Sequence, residues 1–426
     1  MLNQISNVQL SVESIVMSKN HRFDSNHQDI EIPIAKLKPG MYVVSISSEN
    51  GSISVKSEGY VLNAASINQL IQSGISHVVV DPSREKKTEK IDKVLPDIGA
   101  RALDKSREKP EISLEQEMKA ANKLYNNAKS LQQKMIHAIT DGKVIDIEGI
   151  QESTDAIVDS IFRNQDALSC LSRLRIKDDY LVEHSLNASI LMTIFAKHLD
   201  VDRATIEQLA LGAFLHDIGK AMIPDEILNK PGKLTSPEYE IIKNHVSLGV
   251  NILEDTPHIS HMVMSMIKEH HERIDGSGYP LQLTADSISK FGRMIAIVDS
   301  YDAMTAERVY RSGLHPITAF KNLIKESPSC YDDALVEQFI QCLGVYPVGT
   351  LVELNSGKLG LISRLNRKKP LHPYVRVFYN TRLKQAIAME EVDLSRSKYK
   401  DQIDRCIKPE EFNINLLGFF KAAFLD

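Results

Sequence analysis

Hydrophobic positions recur every three or four residues over much of the chain, and that spacing predicts helices. From Ser113 to about Ile139 the stripe is Leu114, Met118, Ala121, Leu124, Ala128, Leu131 and Met135, which makes one long amphipathic helix. Its apolar face suits either a homodimer through residues 113–139 or packing on the domain that follows. Five further stripes lie between Leu181 and Arg311. They are Leu181, Ser185, Ala188, Met192 and Phe195; Ile206, Leu209, Ala210, Ala213 and Phe214; Ile241 and Ile242; Ile259, Met262, Val263, Met266 and Ile267; and Phe291, Met294, Ile295 and Val298. Thr235-Ser236-Pro237-Glu238 opens the third with a capping box and a proline suited to a first turn.

The two ends of the chain follow other patterns. Ile30-Glu31-Ile32 alternates, Met41-Tyr42-Val43-Val44 is apolar, Glu49-Asn50-Gly51 marks a hairpin, Ser66 to Ser73 has helical spacing, and His77-Val78-Val79-Val80 closes with a strand. Residues 1–82 are expected to form a small α/β regulatory domain. Charged residues without periodicity fill 83–112 and read as a solvated linker. Residues 113–176 form a helical connector and 177–345 a helical bundle. In 346–426, Thr350 to Leu354, Gly360 to Ser363 and Tyr374 to Tyr379 are strand-like runs, which predicts a small β-rich domain and tail. The apolar tail Leu416-Leu417-Gly418-Phe419-Phe420 reads as a helix end docked on the core. The expected fold class is mainly α, with a small N-terminal α/β domain and a small C-terminal β-rich appendage.

A chain of 426 residues exceeds one hydrophobic core, and 42% hydrophobic with 25% charged residues describes a soluble globular protein. A net charge of −5 argues against a protein whose main task is holding duplex nucleic acid. With no apolar run near about 18 residues and no secretory signal, the expectation is a cytoplasmic protein off the membrane. Cys170, Cys330, Cys342 and Cys406 form no C-x-x-C pair, so reduced thiols are expected and a thiolate metal site is not.

Each of the five stripes runs into a metal-binding side chain: His184; Asp217 with His216 beside it; His245; His270 with His271 adjacent; and Asp299. A single histidine on such a stripe is ordinarily a core residue bonded to a backbone carbonyl. Burying polar groups costs free energy unless each is paired, so five helices doing so together need a common cause, and a metal centre in a bundle supplies one. Five imidazoles and two carboxylates suit Fe, Mn or Zn better than Mg or Ca. Seven ligands suit two ions sharing a carboxylate. Two metals about 3.5–4 Å apart can activate a bridging hydroxide and stabilise phosphoryl charge, so the inferred reaction is metal-assisted phosphoryl transfer to water.

The chain resembles the HD-GYP subset of the HD phosphohydrolases through an ordered set of motifs over about 180–342. These are His184-Ser185, His216-Asp217-Ile218-Gly219-Lys220, Ile223 to Leu234, His245, His270-His271-Glu272-Arg273-Ile274-Asp275-Gly276-Ser277-Gly278-Tyr279-Pro280, Asp299-Ser300-Tyr301-Asp302-Ala303-Met304 and Arg308-Val309-Tyr310-Arg311. Leu37 to Val43 and Val78 to Asp81 also resemble a domain of unassigned function that often precedes such domains. The resemblance implies an HD-type helical bundle that hydrolyses cyclic di-GMP or a related 3′,3′ cyclic dinucleotide to a linear dinucleotide and on to mononucleotides. It implies two divalent ions, Fe or Mn, bridged by Asp217, with His184, His216 and Asp299 on one and His245, His270 and His271 on the other. Lys220 is implied at the scissile phosphate, and Asp275, Gly278, Tyr279, Pro280, Arg308 and Arg311 at the substrate. Tyr180 stands where some members carry a glutamate for a third metal, so two ions are expected.

Two other readings stay open at this level. One is an HD phosphohydrolase acting on another nucleotide or a phosphomonoester, disfavoured by the Gly278-Tyr279-Pro280 loop. The other is a non-catalytic module that senses the dinucleotide or docks on a diguanylate cyclase or another signalling protein.

Overall fold

In the computed structural model the chain divides into two compact units, Met1–Val94 and Leu95–Asp426. The structure describes residues 16–17, 29–38, 41–48, 54–55, 59–61, 67, 70–71 and 74–81 of the first, and 110–173, 180–307, 312–366, 368–396 and 401–412 of the second.

The first unit is built on strands β1 (Val16–Met17), β2 (Ile30–Pro33), β3 (Tyr42–Ser48), β4 (Ser54–Val55), β5 (Gly59–Val61) and β6 (Ile75–Asp81). They form one antiparallel sheet in the order β1-β5-β3-β6-β2, with β4 paired to β3. Pro33 is tolerated because β2 lies at the edge, where a missing N–H breaks no ladder. Leu37, Val43, Ile75, Val78 and Val80 pack with Leu70, which is helical like Ile67 and Ile71 in the segment predicted so. The predicted hairpin turn at Glu49 to Gly51, the linker up to residue 109 and the apolar tail lie outside the described residues.

The second unit opens with α1 (Leu114–Thr140), started by a Ser113 and Gln116 capping box. It packs on α2 (Ile147–Leu171), and buried Glu117 accepts a two-pronged bond from Arg163 at 2.8 and 2.7 Å and one from Ser160 at 2.7 Å. The buried seam of α1 is Met118, Ala121, Tyr125, Ala128, Gln132, Met135 and Ile139. Tyr125 and Gln132 take the places expected of Leu124 and Leu131, because polar-tipped side chains can occupy an apolar seam that counting of hydrophobics alone passes over. α2 and the next helix take up this face within the chain.

That next helix is α3 (Tyr180–His198), the centre of the bundle. Every residue from Val182 to Ala196 is buried, polar ones such as Glu183, Asn187 and Thr193 included, so the helix is covered on all sides and not along one stripe. Around it run α4 (Arg203–Leu215), a 3-10 turn at Ile218–Met222, α5 (Asp225–Leu228), α6 (Ser236–Lys243), α7 (His245–Leu253), α8 (His261–Glu269), α9 (Lys290–Thr305), α10 (Pro316–Glu326) and α11 (Asp333–Leu343). The stripe expected at Ile241 and Ile242 is corrected: Ile241 is exposed, and Asn244 separates α6 from α7, whose own Val246, Gly249 and Leu253 are the buried positions.

An aromatic knot ties α3, α9, α10 and α11. Tyr301 stacks on Phe320 at 5.0 Å and 13°, and meets Phe339 edge-on at 5.2 Å, while Phe195 meets Phe339 at 5.1 Å. After α11 come β7 (Leu351–Leu354), β8 (Lys358–Arg364), β9 (Tyr374–Asn380), β10 (Gln385–Asp393) and β11 (Ile403–Cys406), an antiparallel sheet in the order β10-β9-β8-β7-β11. Lys408 anchors it to the bundle by pairing with Glu307 at 2.8 Å. The chain is thus mainly helical with sheet-containing ends, as the periodicity predicts. Cys170 and Cys342 are buried thiols, and no helix among the described residues is long and apolar enough to cross a membrane.

Phe339 is fully buried between three aromatic partners. Phe339→Ala is expected to destabilise the bundle by about 3–5 kcal/mol, read as a shift of the denaturation midpoint of the full chain. A change below about 1 kcal/mol would show that the knot does not hold the four helices together.

Candidate metal centre

His184 and Asp299 lie within α3 and α9, whereas the other polar residues expected on apolar stripes sit where helices stop. α4 ends at Leu215, His216 is its last cap, and Asp217 turns into the 3-10 segment Ile218–Met222. His270 likewise caps α8, and His245 is the first residue of α7 after the break at Asn244. At each of these ends a ring nitrogen meets a backbone carbonyl three residues back, 2.7 Å away. His216 Nδ1 donates to Ala213, His245 Nδ1 to Ile242 and His270 Nδ1 to Ile267.

A carbonyl can only accept, so all three Nδ1 atoms carry the proton and all three Nε2 atoms present lone pairs in the neutral ring. Those lone pairs, and His184 Nε2 with them, converge on Asp217. His245 Nε2 is 3.4 Å and His270 Nε2 3.7 Å from Asp217 Oδ1, while His184 Nε2 and His216 Nε2 are 3.4 and 3.5 Å from Oδ2. Asp299 lies alongside, with Oδ1 3.0 Å from His184 Nε2 and 3.9 Å from His216 Nε2, and Oδ2 3.6 Å from His271 Nδ1. All seven residues predicted as ligands are therefore brought together.

Gly219 makes the approach of the 3-10 turn to α7 feasible. A Cβ there would stand 1.9 Å from the His245 carbonyl oxygen, so any other residue would push Asp217 away from His245.

Burial decides the charge states. It pushes His216 down to about 4, and lowers His245 and His271 as well, so these rings are neutral near pH 7. Burial also opposes ionisation of Asp217 and Asp299, but neighbouring positive charge outweighs it. The Lys220 ammonium holds Asp217, and the hydrogen bond from a charged His184 holds Asp299, well below the usual carboxylate range. At His184, burial is outweighed by hydrogen bonds to Asp299 and Asp302, which raise it to about 9.

The donor set fits divalent cations on two observations. His245 Nε2 and His270 Nε2, both lone-pair atoms, face each other at 3.1 Å, a repulsive contact that a cation between them would turn into two bonds. His216 Nε2 and Asp217 Oδ1 are buried without a hydrogen-bond partner. The ligand atoms fall into two groups, His184 with His216 and Asp217, and Asp217 with His245, His270 and His271, each within 4.8 Å.

Two further residues escape a reading by stripes. Asp302, fully buried one turn beyond Asp299, accepts from His184 Nδ1 at 2.7 Å and so aims His184 Nε2 at the cluster. The Asp299-x-x-Asp302 spacing, two carboxylates on one helical face, is its signal in the sequence. Glu272 is buried and accepts the backbone N–H groups of Leu281 and Leu283 at 2.7 and 2.9 Å, closing the loop after His271.

That loop lays Tyr279 against His271, ring centres 4.6 Å apart. Gly278 permits it, since a Cβ would stand 2.4 Å from Arg273 N. Asp275 is exposed and spends its Oδ1 on the N–H and hydroxyl of Ser277, so it shapes the loop. Pro280 is exposed next to Tyr279. Lys220 is bonded to Asp217 Oδ2. Arg308 and Arg311 lie outside the described residues.

Comparison with known proteins matches residues 170–335 to the HD domain, 29–150 to a domain of unknown function (DUF3391) and 351–415 to a KOW domain associated with the HD domain. The cyclic di-GMP phosphodiesterase PA4108 of Pseudomonas aeruginosa is 34% identical over 379 residues, covering 87% of this chain and 90% of that protein. The chain belongs to the HD-GYP family. Over a shorter stretch this HD-GYP chain is 40% identical to the 3'3'-cGAMP-specific phosphodiesterase 2 of Vibrio cholerae, covering 30% of this chain and 24% of that one. Among solved structures, Bd1817, a HDG"Y"P protein from Bdellovibrio bacteriovorus, aligns with a TM-score of 0.45 and 17% identity, covering 73% of this chain and 98% of that one.

If cations relieve the facing lone pairs, Mn²⁺ should raise the melting temperature of chelator-stripped protein, and His270→Ala should abolish that rise. Asp302→Asn should weaken Mn²⁺ binding about 10–100-fold in a competition titration, because the His184 ring loses its orienting acceptor. An unchanged affinity would show that Asp302 has no part in the centre.

Proposed function

We propose that this protein is a metal-dependent phosphodiesterase that opens cyclic di-GMP or a related 3′,3′ cyclic dinucleotide such as 3′3′-cGAMP, in the cytoplasm. The observation that carries the reading is the pair of ligand groups sharing Asp217, with Lys220 bonded to that same carboxylate. The identity of the relatives supports the substrate class. A single ion would not use both groups, whereas two divalent ions, Fe or Mn, would be held by His184, His216 and Asp299 on one side, His245, His270 and His271 on the other, and Asp217 between. When bound, such a pair supplies Lewis acidity at the phosphoryl oxygens and an activated water.

The chain's own residues do the rest. Lys220 is only slightly exposed and places its ammonium beside the cluster, where it neutralises charge that builds on the phosphate. Tyr279 walls the entrance and covers His271, limiting the water that reaches that side. Arg308 and Arg311 complete the phosphate contacts in this reading, since guanidinium forks match phosphate oxygens.

Turnover of cyclic di-GMP and 3′3′-cGAMP by protein loaded with Fe or Mn without oxygen tests the proposal. His216→Ala and Asp217→Ala should remove activity, and Lys220→Ala should lower kcat by about 10²–10³ while metal content stays near wild type. Tight binding of both dinucleotides with no product under either metal would sink the catalytic reading in favour of a sensor.

A further inference from the structure

We infer that Tyr239 and Lys243 form an outer substrate shelf, in which Tyr239 stacks one nucleobase and Lys243 binds the phosphate that is not being cleaved. This rests on the cyclic dinucleotide reading above and extends it to specificity.

Helix α6 is the starting observation. None of its residues is fully buried, yet its N-terminus is firmly held. Thr235 and Glu238 form a capping box, and Glu238 also pairs with Lys230 at 2.6 Å. A short helix fixed in place without fully burying a side chain is arranged for what it presents. On the face toward the metal cluster it presents Tyr239 and Lys243, four residues apart and hence side by side.

The geometry continues the wall of the centre outward. His271, a member of the cluster, packs on Tyr279 at 4.6 Å and 31°. Tyr279 meets Tyr239 at 6.4 Å and 79°, so the two tyrosines stand as adjoining walls of a corner. Lys243 Nζ sits between them, 5.0 Å from the Tyr239 ring centre and 5.7 Å from that of Tyr279. Tyr239 is 46% exposed, an aromatic face open to solvent within one ring of the buried centre.

The ligand chemistry matches this layout. A cyclic dinucleotide carries two phosphodiesters and two purines, and only one phosphodiester can lie at the cluster. The second phosphate needs a cation a short distance outward, and at least one base needs a flat surface. Lys220 is committed to Asp217, whereas the carboxylate paired with Lys243 is the exposed Glu240, a surface pair that a phosphate can displace at little cost. An aromatic ring beside a lysine is the arrangement that binds nucleotides through stacking and charge together.

The test compares metal-loaded full-length wild type, Tyr239→Ala, Tyr239→Phe and Lys243→Gln on cyclic di-GMP and on bis(p-nitrophenyl) phosphate, a diester with no base and no second phosphate. Tyr239→Ala should raise KM for cyclic di-GMP roughly fivefold to hundredfold with kcat changed far less, the range spanned by loss of one base stacked on an aromatic side chain. Tyr239→Phe should restore most of that loss. Lys243→Gln should raise KM and flatten its dependence on salt. The preference for cyclic di-GMP over the small diester should fall in both Tyr239→Ala and Lys243→Gln. Unchanged KM in both variants, or equal losses on both substrates, would overturn the shelf while leaving the enzyme intact. Wild type that cleaves the small diester but no cyclic dinucleotide would overturn the proposed function, and the shelf with it.

Discussion

Everything in the larger unit is arranged around one unfavourable contact. Two imidazole nitrogens, His245 Nε2 and His270 Nε2, point lone pairs at each other from 3.1 Å, with a carboxylate oxygen of Asp217 3.4 Å from the first. Neither ring can escape by turning over, because each Nδ1–H is engaged by a backbone carbonyl at 2.7 Å. Burial also disfavours a proton on His245 Nε2, so that ring keeps its lone pair. A fold tolerates such a contact only where the rest of it is stiff and where something else supplies positive charge.

The stiffness comes from the all-round burial of α3 and from α9, which carries two kinds of residue. Asp299 and Asp302 face His184 on one side of α9, while Tyr301 turns the other way into the stack with Phe320 and Phe339. The helix that positions Asp299 and Asp302 is thus locked to its neighbours by the aromatic knot. Helix ends do the remaining work. A histidine at a helix end finds a backbone carbonyl three residues back within reach of its ring, so its tautomer is fixed by the backbone itself, without a carboxylate partner. His184, in the middle of α3, has no such free carbonyl and depends on Asp302 instead.

Much of this was legible in the sequence. The ligands announce themselves as polar residues interrupting apolar periodicity, and the family motifs fix their order. What the stripes did not reveal follows from two physical facts. A cap and a stripe look alike when an apolar run simply stops at a histidine, so the breaks after Leu215 and at Asn244 were read as continuing helix. A residue that acts on another ligand, as Asp302 does, leaves only an i,i+3 spacing that many surface helices share. Tyr125 and Gln132 on α1 escaped for a related reason: their stems are buried while their tips are polar, and Tyr125 reaches Asn187 Oδ1 at 3.1 Å.

Charge balance explains why the entrance is built from tyrosines. Asp217, Asp299 and Asp302 are buried carboxyls, and among the described residues Lys220 and a charged His184 bring positive charge to the cluster. A further carboxylate at the mouth would repel an anionic phosphodiester, and a further lysine deep in the site would compete with the metals for Asp217. Tyr279 and Tyr239 avoid both problems, because a phenol ring offers a flat apolar surface and stays neutral when burial pushes its ionisation upward, as it does for Tyr279. Positive charge is then kept at the outer edge, on Lys243, where solvent moderates its effect on the cluster and it can meet a phosphate before the metals do. Separating the two roles in space lets one site hold a dense set of metal ligands and still attract a doubly charged ligand.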